Sequence, residues 1–376
     1  MSKKVLVLPG DHVGPEVMEQ ALRVLDVVQE ATGTKFELKH DLCGGCSIDK
    51  HGKSVTDEVV KLSTDWADAI FFGSAGGPEW GHSWPNPELG LLTLRKATAA
   101  FANLRPCTFV SKSLTHLSPL KTEIVEGVDF MLVRENCGGA YFGPKLEDND
   151  SAQDTWLYTR PEVERCAHIA AALALQHDPP LQVTSSDKAN VLASGRLWRR
   201  VVSEVFEKHY PQLTLKHQLA DSLAMIMIKN PRAFNGVIVT DNTFGDLLSD
   251  EAGGLTGTLG VLPSASLCDI PAKDKPVKGI YEPIHGSAPD ISGKGIVNPA
   301  AQILSLAMML RFSFVMYKEA DAIEAAVAKV IDDKSKGGLE IRTGDIGGKA
   351  GTKEMGDAIC SVLKEMLGGS SNGAAH

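Results

Sequence analysis

The segment Lys4-Val-Leu-Val-Leu-Pro-Gly-Asp-His-Val-Gly-Pro15 decides the fold class of this chain of 376 residues. Its apolar run Val5–Leu8 predicts a buried strand, and Pro15 then opens a helix with apolar residues along one face. A second apolar run, Ala69-Ile-Phe-Phe72, predicts another buried strand. This alternation predicts an α/β fold with a largely parallel sheet. The turn after the first strand lacks the GxGxxG fingerprint, so no Rossmann cofactor site is expected.

Length and composition restrict the class of protein. A chain of 376 residues with 43% hydrophobic and 23% charged residues predicts a globular protein of two domains. The net charge of −9 argues against nucleic acid and anionic membrane as partners. Seven cysteines without a disulfide-scaffold spacing indicate a reducing compartment. A strand that begins at Lys4 leaves no room for a targeting segment, and we therefore expect a cytoplasmic protein.

Asp246 and Asp250 lie one helical turn apart in the segment Asp241-Asn-Thr-Phe-Gly-Asp-Leu-Leu-Ser-Asp-Glu251. In a helix, this spacing places both carboxylates on one face. Such a pair suits a hard cation such as Mg²⁺ or Mn²⁺, although a solvated acidic helix face has the same spacing. Asp221 is a candidate third ligand, or a cap of the helix that follows it. Gly253-Gly254 is predicted to end the helix.

Three arginines are candidates for binding an acidic substrate: Arg95, Arg105 and Arg134. Arg105 and Arg134 follow apolar runs, so we expect their guanidinium groups at strand ends. Guanidinium groups bind carboxylates through two parallel hydrogen bonds, and a dicarboxylate needs more than one of them. Each arginine alone is more typical of a structural or surface position than of a binding site.

Two further residues are candidate proton carriers. Tyr141 lies between glycines in Gly139-Ala-Tyr-Phe-Gly143. Its phenol could donate a proton in a cleft, or the ring could simply be a packed aromatic side chain. Lys188, in Ser186-Asp-Lys-Ala-Asn190, becomes a base only where burial or a nearby cation lowers its pKa.

The segment Glu282-Pro-Ile-His-Gly-Ser-Ala-Pro-Asp290 predicts a loop for a nucleotide, because its small residues let backbone N–H groups approach phosphates. A carboxylate at Asp290 can accept hydrogen bonds from the adenine-ribose hydroxyls and repel a 2′-phosphate, which favours NAD⁺ over NADP⁺. Cys43-Gly-Gly-Cys46 has the spacing of a redox or zinc half-site, but a turn after a strand explains it better, since no second half-site completes it.

In this order, the motifs resemble those of the β-decarboxylating dehydrogenase family. The motifs that carry the resemblance are Leu94-Arg-Lys96, Asn103-Leu-Arg-Pro106, Gly138-Gly-Ala-Tyr-Phe-Gly143, Asp187-Lys-Ala-Asn190, Phe244-Gly-Asp-Leu-Leu-Ser-Asp-Glu251 and His285-Gly-Ser-Ala-Pro-Asp-Ile291. The resemblance implies the two-domain fold of isocitrate and isopropylmalate dehydrogenases, with mixed sheets and flanking helices. Residues 1–102 and 256–376 would form a discontinuous NAD-binding first domain, and residues 103–255 a second domain with the dimer interface and the metal carboxylates.

The same resemblance implies a homodimer with shared active sites, in which one subunit supplies Lys188 and Asp221 and the other Asp246 and Asp250. The implied catalytic residues are Tyr141, Lys188 and Asp221, and the implied ligands of Mg²⁺ or Mn²⁺ are Asp221, Asp246 and Asp250. The implied substrate-binding residues are Leu91, Arg95, Arg105, Arg134 and Asp246. The implied NAD-binding residues are Glu88, Glu282, His285, Gly286, Ser287, Ala288, Asp290 and Asn298.

The implied reaction begins when Lys188 takes the proton of a C2 hydroxyl and hydride passes from C2 to NAD⁺. The metal ion then stabilises the enolate left by departing CO₂, and Tyr141 protonates C3. Family members that act on isocitrate place a serine and an asparagine near the substrate, where this chain has Glu88, Leu91 and Leu92. An apolar pocket rejects a third carboxylate, which implies 3-isopropylmalate as substrate and a role in leucine biosynthesis.

Several departures from the family pattern leave alternatives open. Cys43 and Cys46 lie where small residues are expected, His12 replaces a common glycine, and an acidic insert follows Phe142. A paralogue that acts on another 3-substituted malate, on homoisocitrate or on tartrate would keep the same motifs. A non-catalytic regulatory subunit is a weaker alternative, because such subunits lack proton-transfer residues or metal ligands that this chain retains.

Overall fold

A computed structural model describes residues 2–81 and 85–369 as a large mixed sheet, a separate two-stranded hairpin and flanking helices. The strands are β1 (Lys3–Gly10), β2 (Phe36–His40), β3 (Ala69–Ser74), β4 (Ala102–Thr108), β5 (Asp129–Glu135), β6 (Lys145–Glu147), β7 (Ala152–Asp154), β8 (Val183–Asp187), β9 (Leu215–Leu219), β10 (Gly236–Thr240), β11 (Pro263–Leu267) and β12 (Gly279–Pro283). The α-helices are α1 (Gly14–Thr32), α2 (Gly45–His51), α3 (Asp57–Lys61), α4 (Glu88–Ala97), α5 (Thr122–Val125), α6 (Arg160–Ala174), α7 (Ala193–His209), α8 (Ala220–Lys229), α9 (Asn242–Thr256), α10 (Ala300–Phe314), α11 (Tyr317–Ile331) and α12 (Thr352–Gly369).

The large sheet has ten strands in the order β2-β1-β3-β12-β11-β4-β5-β10-β8-β9. Strands β2, β1, β3 and β12 run parallel to one another, as do β5, β10, β8 and β9. Between these two groups, β11 and β4 pair antiparallel with each other and with their outer neighbours. The sheet is therefore mixed, as predicted. Because β11 and β4 are paired, the two predicted domains share one continuous sheet, and the boundaries near residues 102 and 256 stay a prediction.

Helix α1 follows its sequence signals closely. Pro15 lies in its first turn, where its missing N–H costs no hydrogen bond, and Gly33 ends it at φ 70°. The side chains of Val17, Leu25 and Val28 lie on the buried face. Since α1 begins immediately after β1, its first turn lies beside the end of that strand.

Helix α9 continues beyond its predicted end. Asp241 caps its start by accepting a hydrogen bond from the backbone N–H of Phe244 at 2.9 Å. The helix then passes through Gly253 and stops at Gly257, which adopts φ 78°. The predicted end at Gly253-Gly254 is therefore wrong. A Cβ on Gly253 would lie 2.8 Å from a methyl carbon of Leu259, so this glycine serves close packing.

Helix α10 lies in the hydrophobic core and ends at Phe314, with Val315 in the left-handed conformation at φ 57°. Arg311 alone among its residues is not fully buried. No helix in residues 2–81 and 85–369 is both long and apolar enough to cross a membrane.

The Cys43–Cys46 segment lies between the end of strand β2 and the first turn of helix α2. Cys46 lies in α2, so the predicted turn is confined to the residues before that helix. Its thiol donates to the carbonyl oxygen of Cys43 at 3.5 Å. Burial raises the pKa of the Cys46 thiol to about 11, and the thiolate needed for redox chemistry or metal binding is therefore disfavoured.

Candidate functional site

The four central strands of the sheet present a row of buried polar side chains on one face. In the paired strands, Ser264 lies opposite Glu282, and Asn103 lies opposite both Ser266 and Arg134. Residues two apart on a strand point to the same face, so these register pairs align the row across β12, β11, β4 and β5. The row consists of the buried residues Glu282, Ser264, Ser266, Asn103 and Arg134 and the half-buried Arg105. The opposite face, which includes Leu104 and Val133, belongs to the hydrophobic core.

Arg134, Asp246 and Tyr141 form the centre of the candidate site. A side-chain nitrogen of Arg134 donates to Asp246 Oδ1, and the Tyr141 hydroxyl donates to Asp246 Oδ2 at 2.9 Å. The Arg134 guanidinium also lies 5.8 Å from the centre of the Tyr141 ring. Burial, and then the neighbouring Arg105, lower the pKa of Arg134 to about 10. Burial and the bond to Asp246 raise the pKa of Tyr141, which therefore keeps its proton at neutral pH.

Arg105 connects the polar row to the second carboxylate of α9. It donates to Asp250 Oδ1 at 2.9 Å, to Ser249 Oγ at 2.8 Å and to Asn103 Oδ1 at 2.8 Å. Its pKa is lowered, first by burial. The expectation that Arg105 lies at a strand end is wrong, because it lies in the middle of β4 and reaches α9 from the face of the sheet. Arg134, the next to last residue of β5, does lie at a strand end.

Arg95 and Glu282 form a buried ion pair between α4 and β12. The Arg95 Nη2–Glu282 Oε1 distance is 2.6 Å, and the two side chains are only 10% and 9% exposed. The resemblance assigned Arg95 to the substrate and Glu282 to the cofactor. The structure therefore joins two residues that the sequence analysis had placed in separate groups.

Lys188 and Asp221 form a second ion pair. Lys188 follows β8 directly, Asp221 lies in the first turn of α8, and Nζ lies 2.7 Å from Oδ1. The hydrogen bond from Lys188 lowers the pKa of Asp221. Asp221 does not cap α8, because Leu219 occupies the capping position. Within the described part of the chain, no group of three acidic, histidine or cysteine side chains comes together as a metal site.

The predicted nucleotide loop lines a cavity of about 610 Å³. Its walls include His285, Gly286, Ala288 and Asn298 from the predicted set. Burial lowers the pKa of His285, whose Nε2 atom is buried without a hydrogen-bond partner among the described residues.

The remaining predicted cofactor residues lie around this loop. Ser287 is buried, and its carbonyl oxygen accepts a hydrogen bond from Val13 at 3.1 Å. Asp290 is exposed in the short helical turn that follows. Glu88, at the start of α4, lies beside Gly76, since a Cβ on that glycine would be 2.8 Å from Glu88 Oε1. Leu91 is half-buried on the same helix.

Several contributors were absent from the sequence analysis. Asn242 accepts from Arg134 Nε at 2.9 Å, and Ser249 accepts from Arg105. Asp345, which lines the cavity, accepts from Asn298 Nδ2 at 3.0 Å. Asn242 and Ser249 both lie inside the acidic helix motif, and that position was the only signal in the sequence that could have pointed to them.

The fold and the site indicate a dehydrogenase, and comparison with known proteins supports this class. A family model described as isocitrate/isopropylmalate dehydrogenase matches residues 4–359, and the chain belongs to this family. The family that the sequence motifs indicated is therefore confirmed. Among curated relatives, the 3-isopropylmalate dehydrogenase of Hapsidospora chrysogena is 57% identical over 373 residues, which cover 97% of this chain and 98% of that protein. The 3-isopropylmalate dehydrogenase of Schizosaccharomyces pombe is 53% identical over 97% of this chain and 100% of its own length.

Solved structures confirm the predicted α/β fold. The crystal structure of isocitrate dehydrogenase from Methylococcus capsulatus matches with a TM-score of 0.81 and 30% identity, covering 96% of this chain and 99% of that one. A β-decarboxylating dehydrogenase from Thermococcus kodakarensis matches with a TM-score of 0.77 and 31% identity over 100% of both chains.

Proposed function

We propose that this protein is an NAD-dependent 3-isopropylmalate dehydrogenase that oxidises and decarboxylates its substrate in leucine biosynthesis. The observation that carries the proposal is the contact of Arg134 and Tyr141 with opposite oxygens of Asp246. This contact brings together a guanidinium group that can bind a carboxylate, a protonated phenol and an acidic side chain. The names of the relatives at 57% and 53% identity support the choice of substrate.

The acidic residues of α9 suit a divalent cation. Asp246 and Asp250 offer only oxygen ligands, as Mg²⁺ and Mn²⁺ prefer, and their side chains remain 34% and 69% exposed beside their arginine partners. Since Asp221 pairs with Lys188 rather than with α9, a second copy of the chain would supply it as the third ligand. A bound cation would withdraw electrons from the substrate oxygen as a Lewis acid.

The cavity beside the loop after β12 suits the adenosine part of NAD⁺. His285 Nε2 is a buried polar atom that a nucleotide could bind, and Asn298 lies in the same wall. Asp290 is exposed and lies in the chain between Ala288 and Ile291, which line this cavity. From there its carboxylate could accept hydrogen bonds from ribose hydroxyls and exclude a 2′-phosphate. Bound NAD⁺ would accept the hydride from C2.

A homodimer explains the apolar side chains that α8, α9 and the β6–β7 hairpin leave exposed. Met225 is 62% exposed, Leu247 67% and Leu146 69%. A partner surface that covered these side chains would remove their apolar area from water. Leu247 is adjacent to Asp246, so a partner that covers it would border the predicted metal site.

Different residues would carry out the different steps of the reaction. Arg95, Arg105 and Arg134 would hold the two carboxylates of the malate group, and half-buried Leu91 would contact the isopropyl group. Lys188 would take the C2 hydroxyl proton, because its Nζ lies 2.7 Å from Asp221, a proposed ligand of the cation that would hold that hydroxyl. Tyr141 would donate its proton to C3, since its raised pKa keeps it protonated until that step.

The test is NADH formation with Mn²⁺, comparing 3-isopropylmalate, isocitrate, homoisocitrate, tartrate and malate, each with and without EDTA. We expect an EDTA-sensitive preference for 3-isopropylmalate. Preference for another substrate would refute the assignment of the side-chain pocket, and turnover of none would refute the proposed activity. Lys188→Ala should abolish turnover while the circular dichroism spectrum stays that of the parent protein.

A further inference from the structure

Buried residues form a chain of hydrogen bonds beneath the candidate site. The chain contacts three parts of the site: Arg134, the turn before Tyr141 and the start of α9. The backbone N–H of Asn242 donates to the Tyr158 hydroxyl at 2.9 Å, and that hydroxyl donates to Glu135 Oε2 at 3.2 Å. All three residues are buried, with Glu135 at 0% exposure. None of them was assigned a role by the sequence motifs.

The side-chain amide of Asn242 has only one orientation that satisfies its neighbours. Its Oδ1 accepts from Arg134 Nε at 2.9 Å, and its Nδ2 donates to the carbonyl oxygen of Gly138 at 2.9 Å. Asn242 is also the first residue of α9, so its backbone sets the start of the helix that carries Asp246. It therefore joins Arg134, the turn before Tyr141 and the acidic helix.

The Tyr158 ring lies directly against the turn that presents Tyr141. A Cβ on Gly138 would lie 2.8 Å from a Tyr158 ring carbon, and one on Gly139 would lie 2.7 Å from its hydroxyl oxygen. The turn is held from the other side by Glu135, whose carboxylate accepts from the N–H groups of Cys137 at 3.0 Å and Gly138 at 2.7 Å.

We propose that Glu135, Tyr158 and Asn242 act as a positioning unit, which holds Arg134, Tyr141 and Asp246 in the mutual geometry that catalysis needs. The inference rests on the proposed function and adds positioning residues that touch neither substrate nor cofactor. Their buried polar groups satisfy one another, so the loss of one releases the turn and the helix start together. A small misplacement of catalytic groups lowers the rate steeply.

The first test is Tyr158→Phe, which removes the central hydroxyl and keeps the ring against Trp198, whose ring centre lies 5.6 Å away. We expect kcat to fall roughly 10- to 100-fold, as misplacement of catalytic groups by about 1 Å typically does. The dissociation constant of Mn²⁺ should rise, because Asp246 moves with the start of α9, while KM for NAD⁺ stays the same. Tyr210→Phe is the matched control, since it removes a hydroxyl that contacts His168 Nδ1 at 2.8 Å on another part of the chain.

A double-mutant cycle separates positioning from simple destabilisation. Asn242→Ala cuts the side-chain contacts to Arg134 and Gly138 but keeps the backbone N–H that donates to Tyr158. If the residues act as one unit, adding Tyr158→Phe should then lower kcat by less than it does in the parent protein. Additive losses, or a Tyr158→Phe protein with a lower melting temperature but the kcat and Mn²⁺ affinity of the Tyr210→Phe control, would overturn the inference. Mn²⁺ titration remains informative even if the parent protein oxidises none of the substrates, which would refute the proposed function separately.

Discussion

The buried pair Arg95–Glu282 offers the sharpest test of how the site is held together. Glu282→Gln keeps the size and shape of the side chain and removes its charge. The pair has an N–O distance of 2.6 Å, and its members are 10% and 9% exposed, so solvent screens little of the lost attraction. Arg95 Nε is itself buried without a hydrogen-bond partner among the described residues. The variant therefore leaves a buried guanidinium whose charge is poorly compensated.

Removing one member of a buried ion pair typically costs about 3–5 kcal/mol of unfolding free energy, because the other charge remains buried. A glutamine oxygen can still accept one hydrogen bond from Arg95, so we expect a loss near the lower end, about 3 kcal/mol. Arg95→Met should cost a similar amount by leaving Glu282 unpaired. The double variant should be more stable than the sum of the two losses predicts, because it buries no unpaired charge.

The assay is equilibrium unfolding in urea at one fixed protomer concentration, since the stability of a dimer depends on concentration. We expect the midpoint to fall in both single variants without a change in the slope m. Simple addition of the two single losses in the double variant would refute the reasoning, as would a Glu282→Gln protein as stable as its parent. Either result would mean that water or another residue compensates Arg95.

Three further predictions concern other parts of the molecule. Burial raises the pKa of Asp241 to about 7. Between the ordinary pKa of an aspartate and pH 7, the folded protein therefore holds a proton on Asp241 that the unfolded chain has released. The unfolding free energy should therefore fall as pH rises from about 4 to about 7, by up to about 4 kcal/mol. Asp241→Asn should abolish this loss, and urea unfolding across that pH range checks it. If the unfolding free energy of the variant falls with pH as steeply as that of the parent protein, Asp241 is not the cause. Glu16 accepts hydrogen bonds from the backbone N–H groups of Gly293 and Gly295 in the loop beside the cavity proposed to bind NAD⁺. Glu16→Gln should raise KM for NAD⁺ roughly 5-fold by loosening that loop, whereas exposed Glu19→Gln on the same helix should not; equal steady-state constants for both variants would count against this role. Leu247→Asp should dissociate the proposed dimer into monomers in analytical ultracentrifugation and abolish turnover, and an active dimer of this variant would exclude that face as the interface.

Much of the fold was predictable because its signals are local. The strand predicted at Val5–Leu8 lies within β1, and α1 begins within one residue of the predicted proline. The spacing of Asp246 and Asp250 also fixed their common helix face before any tertiary contact was known. In each case hydrophobic periodicity, proline geometry or helical spacing acts within a few residues along the chain.

The continuation of α9 through Gly253 was not predictable in the same way. Glycine is the common helix stop because it tolerates the left-handed conformation, and two in succession strengthen that expectation. The structure uses Gly253 for close contact with Leu259 and places the left-handed residue at Gly257 instead. The choice depends on what packs against the helix, and no local pattern records it.

The sequence by itself determined the residue types of the site: arginines for carboxylates, acidic residues for a cation and a small-residue loop for a nucleotide. Only the tertiary structure decided which of them meet, because strand register aligns Asn103 of β4 with Ser266 of β11, two strands that are far apart along the chain. This pairing brings Arg134 and Glu282, on the strands to either side, into one row. The tertiary structure also decided that Asn242 supports Arg134 and that Glu282 neutralises Arg95. Register and burial arise from the packing of the whole sheet, whereas propensity and spacing act locally, and this difference separates what could be predicted from what could not.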